Sequence, residues 1–204
     1  MIRLLNKLQD GLDALRALDF LAPLALRLYL APVFWVAGVE KVTGFDDIVE
    51  WFGNAEWGLG LPFPTLMAFL ATSAEVLGAI LLLVGLAVRW ISIPLMATMV
   101  VAMAKVHWEH GWQAIASAKA PFAADSLGIF QFEDVMPHYQ TLSTAKDVLQ
   151  QCSWEAEAGR LVVLNNGIEF AVTYLIMLLA LFFIGAGRWV SADDWIARRF
   201  RSRG

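Results

Sequence analysis

Ionisable and metal-binding side chains stand inside the most apolar stretches of this chain. Arg27, Glu40 and Lys41 lie in one, Glu75 in a second, Lys105 and His107 in a third, and Glu169 in a fourth. A charge at the centre of a membrane helix costs about 2.5–3.5 kcal/mol on insertion scales, so a bundle that keeps several usually pairs them around a binding site or an ion path. Carboxylates there can hold helices together or relay protons. A second set is soft: Met96, Met99, Met103 and His107 recur at intervals of three and four, and Asn166, Glu169, Thr173 and Met177 make a matching stripe. Thioether and imidazole together suit Cu(I). Methionine as flexible filler of a helical core accounts for the same stripe more cheaply, and no spacing here is diagnostic in the way of a paired Cys motif.

These groups need helices to position them. Charged residues make up 17% of the 204 residues, against about 25% in soluble domains, and the mean hydropathy is +0.60. Four apolar runs, Leu21 to Val42, Phe63 to Leu86, Trp90 to Val106 and Ile168 to Gly187, each approach the roughly 20 residues that cross a bilayer. The fold expected is all-α: a polytopic four-helix membrane bundle forming one domain over residues 1–204. Residues 1–20 carry Ile2, Leu5, Leu8, Leu12 and Leu15 at helical spacing between charges, which suits an interfacial helix and not a cleaved signal.

Basic residues set the orientation. Arg3, Lys7 and Arg16 precede the first span, Arg89 follows the second, and Arg188, Arg198, Arg199, Arg201 and Arg203 follow the fourth. Asp46, Asp47, Glu50 and Glu56 fill the loop after the first span, so both termini are placed in the cytoplasm and that loop outside. Trp90, Trp189 and Trp195 then mark the inner boundary, and Trp51, Trp57, Trp108 and Trp112 the outer one. The connection over 107–167 is long and carries Phe122, Phe130, Phe132, Tyr139 and Trp154, with a helix-like stretch near Thr144 to Gln151. It reads as an extracytoplasmic cap between helices 3 and 4. The basic tail over 188–204 reads as a topology signal drawn to anionic lipid, and nucleic acid is not expected as a partner.

Depth and lean suggest which charges meet. At about 1.5 Å per residue, Arg27 lies roughly 9 Å into the first span, Lys41 near its outer end, and Glu75 close to mid-membrane. Side chains lean toward the N-terminus of their own helix, which turns Lys41 and Glu75 toward each other and Arg27 away. Lys41 with Glu75 is the expected buried pair, and Arg27 is expected to snorkel toward the inner headgroups. His107, Glu109, His110 and Glu169 fall at one membrane level and form a candidate outer mouth above Met99 and Met103, with His138 on the same side. The sole cysteine, Cys152, excludes an internal disulfide, and no dinucleotide or P-loop pattern stands in the right context.

The order of motifs resembles the DoxX family of four-helix membrane proteins: AGVEK closing a helix with an internal Arg, GLGLPFP, TSAEVLGAILLLVGL, then Arg89, VHWEHGW, and NNGIEFAVTYLIMLL running into GAGRWVSADDW. VHWEHGWQAI and LNNGIEF resemble the branch associated with maturation of copper-binding, ribosomally made modified peptides. The segment from Ala116 to Leu161 exceeds what compact DoxX proteins carry there. The resemblance implies quinone-coupled oxidation, thiol and oxidative-stress complexes, or copper-peptide handling.

Two functions follow. One is an inner-membrane accessory protein that matures or handles a copper-binding peptide, or its copper, at the outer face, partnered by the peptide precursor or its maturation enzymes. The alternative is the membrane subunit of a quinone-linked oxidoreductase that takes electrons from a redox partner, with Glu75 or Glu169 relaying protons. Copper belongs to the first and quinone to the second.

Overall fold

The computed structural model describes residues 6, 9–13, 15–115 and 164–200. Most of the expected cap, with His138 and Cys152, and the tail residues Arg201 and Arg203 lie outside the described residues. Among the described residues the elements are helical: α1 (Leu21–Thr43), α2 (Phe45–Gly53), α3 (Pro64–Val84), α4 (Val88–Val101), α5 (Glu169–Ile184) and α6 (Ala192–Phe200). Residues 9–13 are helical and exposed, and Leu15–Leu18 form a 3-10 turn. Among the described residues three helices are long and apolar enough to cross a membrane: Leu21–Thr43, Pro64–Val84 and the continuous stretch Val88–His110. α5 is apolar but has 16 residues.

Contacts divide the chain into two compact units, Met1–Thr98 with Leu175–Gly204, and Met99–Tyr174. In the first unit α1 packs along α3, and α2 packs on α3 as well. Leu30 and Phe34 from α1, Ala68 and Leu82 from α3, Leu95 from α4, and Leu178 and Leu181 from α5 form its core. Large apolar side chains point outward all along these helices, among them Trp35, Val36, Leu70 and Leu83. That is the surface hydrocarbon covers.

Local sequence accounts for the helix ends. Pro64 opens α3 at a position where its missing N–H costs nothing. Gly85 closes it in the left-handed conformation with φ 72°, its N–H donating to Leu81 O and Leu82 O. Pro32 and Pro94 each delete one internal hydrogen bond without ending α1 or α4. α4 passes at Ala102 into a six-residue π-helical stretch ending at His107, then a short 3-10 turn from Trp108 to His110.

Two elements differ from the sequence expectation. The stretch after the first span, expected as an acidic loop, contains α2. Phe45, Ile48, Val49 and Phe52 recur at helical spacing there, and Asp46 and Asp47 sit in the first turn, where the helix dipole favours them. The basic tail likewise contains α6, with Asp193 and Asp194 in its first turn and Arg198 and Arg199 in its last.

In the second unit, residues 111–115 run beside 164–169. Asn165 N donates to Ala114 O, Gly167 N to Gln113 O, and Ile168 N to Gly111 O, and an isolated bridge pairs Ile115 with Leu164. Ala114 and Ile168 are buried between them.

Candidate functional site

The first unit holds two charged clusters. In the first, Lys41 Nζ stands 2.8 Å from Glu75 Oε2, joining the end of α1 to the middle of α3. Glu75 is buried, its side chain 5% exposed, while that of Lys41 retains 21%. Lys41 also donates weakly to Ala37 O at 3.4 Å. The close approach of the helices depends on Gly38: a Cβ there would meet Val76 Cγ2 at 2.7 Å and Glu75 Cβ at 3.3 Å. Small residues at such crossings let membrane helices touch backbone to backbone. The sequence reading did not single out Gly38, although its place three residues before Lys41 in AGVEK was the available signal.

Beside the pair, Val42, Phe45, Phe69, Thr72, Ser73 and Val76 line a cleft of about 470 Å³. Val42 and Val76 on its walls are the immediate sequence neighbours of Lys41 and Glu75, which are not themselves on the lining. Thr72 is 7% exposed and its hydroxyl has no hydrogen-bond partner. In the sequence Thr72 counts only as one of the small residues on the Glu75 side of its helix.

The second cluster surrounds Arg27, which is 1% exposed. It does not snorkel. Its Nε donates to Leu82 O at 2.8 Å, Nη1 to Ala186 O at 2.6 Å and Val190 O at 3.0 Å, and Nη2 to Leu83 O at 3.2 Å and Val190 O at 3.1 Å. All five guanidinium donors are therefore used. The carbonyls of Leu82, which also accepts from Gly85 N, and Leu83 lie at the C-terminus of α3, and the others lie just beyond α5, so a cation meets the negative ends of two helices. Gly85 is required beside it, because a Cβ there would come within 2.6 Å of Arg27 Cζ. Asp193 completes the cluster by accepting from Ala87 N at 2.7 Å and Val88 N at 3.1 Å, which caps the start of α4. Depth alone could not find this arrangement, since the acceptors lie 55 to 163 residues away along the chain.

At the surface beyond α5, Asp194 accepts from Trp189 N at 2.8 Å and pairs with Arg198 at 2.7 Å. The Trp189 hydrogen bond, the largest effect, holds its carboxyl below the usual carboxylate range; burial opposes it, and Arg198 and Arg188 add to the lowering.

In the second unit the outer-mouth residues have structural partners. Glu169 Oε2 accepts from Ala114 N at 2.9 Å. His107 Nδ1 lies 2.8 Å from Asn166 O, so it carries the proton and leaves Nε2 with its lone pair. Asn165 Nδ2 donates to His110 O and Gln113 O, both at 2.7 Å. Glu109 is exposed and lies 3.9 Å from His110. The two motifs VHWEHGWQAI and LNNGIEF thus clasp one another largely through backbone groups. Among the described residues no group of three or more His, Cys, Asp or Glu side chains is placed to hold a metal ion. The α-helical register behind the methionine stripe ends at Val101, before Met103 and His107.

Residues 22–108 match the DoxX family model. The chain is also similar to a protein described as putative oxidoreductase CatD from Bacillus subtilis (strain 168), 28% identical over 103 residues. That similarity takes in 50% of this chain, and the chain spans 65% of the relative's length. No solved structure matches.

Proposed function

We propose that this chain is the membrane-embedded subunit of an oxidoreductase assembly, in which Glu75 exchanges protons with a lipid-soluble quinone while Lys41 balances its charge. The observation that carries this reading is the Lys41–Glu75 contact at 2.8 Å, set inside apolar helices and next to a cleft. A buried ion pair is a weak way to gain stability, because desolvation offsets the attraction. Ionisable residues kept at membrane depth are more readily explained by proton or ligand traffic. The DoxX match over the helices bearing the pair, and the oxidoreductase description of the Bacillus relative, support the same class.

In this reading the chain crosses the bacterial inner membrane four times, α5 making the last and shortest crossing, with both termini in the cytoplasm. A bound quinone supplies the redox chemistry, two electrons and two protons per quinol formed, with electrons donated by a partner protein. Glu75 holds a proton on the carboxyl facing Lys41 Nζ, and Lys41 stabilises the carboxylate left after transfer. Apolar walls keep bulk water away. The test is to purify the chain with its partners from native membranes and follow reduction of a naphthoquinone. Glu75→Gln should lower the rate per folded protein about 100-fold or more, the scale of general acid–base catalysis, and Glu75→Asp should keep part of it. An unchanged rate in Glu75→Gln overturns the reading.

A second reading, handling of copper or a copper-binding peptide at the outer face, is favoured by one observation. The fixed Nδ1 contact of His107 leaves Nε2 as a preoriented ligand atom, which with Met99 and Met103 would form a soft donor set. Copper bound by the purified chain and lost in His107→Ala supports it. Equal copper in both would end it.

A further inference from the structure

We propose that α6 lies flat in the headgroup layer of the membrane and binds anionic phospholipid there, with Arg199 taking the headgroup phosphate. The inference stands on the first unit alone and does not need the proton-exchange reading.

The start of α6 is pinned at the level where α3 ends. Asp193 N donates to Gly85 O at 3.0 Å, and the Asp193 carboxylate accepts from Ala87 N and Val88 N. Gly85 caps α3, so the first turn of α6 stands at the end of a helix long enough to cross the bilayer. The nine residues of α6 reach only roughly 14 Å, too short to return through about 30 Å of hydrocarbon.

The outward side of α6 is apolar. Trp195, Ile196 and Phe200 are 66%, 41% and 74% exposed, while Asp194 and Ala197, around the helix from them, are half-buried. The end of α5 and the link to α6 expose Phe183, Ile184, Trp189 and Val190 as well, so the surface that hydrocarbon covers on the spans extends toward α6. Tryptophan at this level belongs to the membrane–water boundary. A short helix with an apolar arc and arginines beside it lies in the plane of that boundary.

Arg199 selects phospholipid as the occupant. It is exposed within the apolar arc, between Trp195 four residues back and Ile196 three back. Arg188 and Arg198 are each paired with a carboxylate, Asp19 and Asp194, at 2.7 Å, whereas among the described residues Arg199 has no such partner. At a bilayer surface its stem can lie along the apolar arc while the guanidinium reaches the phosphates, whose oxygens its fork matches. Arg201 and Arg203 follow in the sequence. The surplus charge is therefore positive, which favours anionic headgroups over zwitterionic ones.

The test places a nitrobenzoxadiazole dye on Ile196→Cys in a Cys152→Ser background, with the full chain in liposomes of phosphatidylcholine and phosphatidylglycerol. A nitroxide near the top of the lipid chains should quench the dye, and iodide in the buffer should reach it little. Nitroxide carried on phosphatidylglycerol should quench at a lower mole fraction than nitroxide carried on phosphatidylcholine. Arg199→Gln should shrink that preference about 5-fold, the value of one arginine at an anionic surface, with unchanged melting because the side chain is exposed and unpaired. A dye on Leu70→Cys, on the lipid-facing side of α3, should show no preference between the two lipids. Ready quenching by iodide overturns the flat helix. A dye shielded from both quenchers puts a second copy or another protein on this face and overturns the lipid assignment. Equal quenching by the two lipids in the parent, or a preference kept in full by Arg199→Gln, overturns the headgroup site.

Discussion

Arg27 and Lys41 stand on the same helix, 14 residues apart, and are held in opposite ways. Arg27 spends every donor on main-chain carbonyls of two other segments, at distances of 2.6 to 3.2 Å, and keeps 1% of its surface. Lys41 makes one strong contact, to a single carboxylate, and keeps part of its side chain exposed beside a cleft. A cation saturated by fixed backbone dipoles has nothing to exchange. A cation paired with one titratable group does, and on this difference rests the proposal of a structural Arg27 and a chemical Lys41–Glu75.

The largest expected effect breaks the structural side of that contrast. Arg27→Met leaves the carbonyls of Leu83, Ala186 and Val190 without their Arg27 donor, and Leu82 O with Gly85 N alone, and should cost at least about 5 kcal/mol, from several buried acceptors at about 1–3 kcal/mol each. Arg27→Lys should fare little better, since three rotatable donors cannot span the same fork. Thermal unfolding in detergent is the measurement. Mild loss in either variant would remove Arg27 as the weld.

Next comes the pair. Glu75→Gln and Lys41→Met should each cost about 2–3 kcal/mol, less than the 3–5 kcal/mol of a fully buried pair because Lys41 stays partly exposed. The double variant should recover part of the loss. Additive losses would mean that the two do not interact in the membrane.

Gly38→Ala should cost about 1–2 kcal/mol, the scale of overpacking, because Val76 must move to admit the new methyl. It should also loosen the Lys41–Glu75 contact, so combining it with Glu75→Gln should cost less than the sum. Independent effects would uncouple the crossing from the pair.

The smallest effect is at the surface. Asp194 is held below its unfolded value, so its contribution to stability is full above the ordinary carboxylate range and is lost as pH falls through the lowered folded value. The melting difference between the parent and Asp194→Asn should therefore vanish in acid. A difference that persists there would assign the effect to shape and not to charge.

The three long helices were legible because apolar length is a local property: Leu21 to Val42 and Phe63 to Leu86 differ from the observed bounds by two residues or fewer. The proximity of Lys41 to Glu75 was legible for a similar reason, since lean and depth follow from helix geometry once two antiparallel spans are drawn. Arg27 was not, because its acceptors are backbone atoms exposed by helix ends far along the chain, and no side-chain pattern encodes them. α2 was hidden by its acidic surface, which drew attention from the spacing of Phe45, Ile48, Val49 and Phe52 beneath it. Thr72 was visible only as a small residue, for a missing hydrogen bond has no signature in sequence.

The central claim, that Glu75 is the group coupled to redox chemistry in the membrane, is tested most directly by infrared difference spectroscopy. The chain in liposomes containing a naphthoquinone is recorded before and after reduction at constant pH. The account predicts a carboxyl band that changes on reduction, shifts in Lys41→Met and disappears in Glu75→Gln. Superimposable spectra from the parent and Glu75→Gln would contradict it.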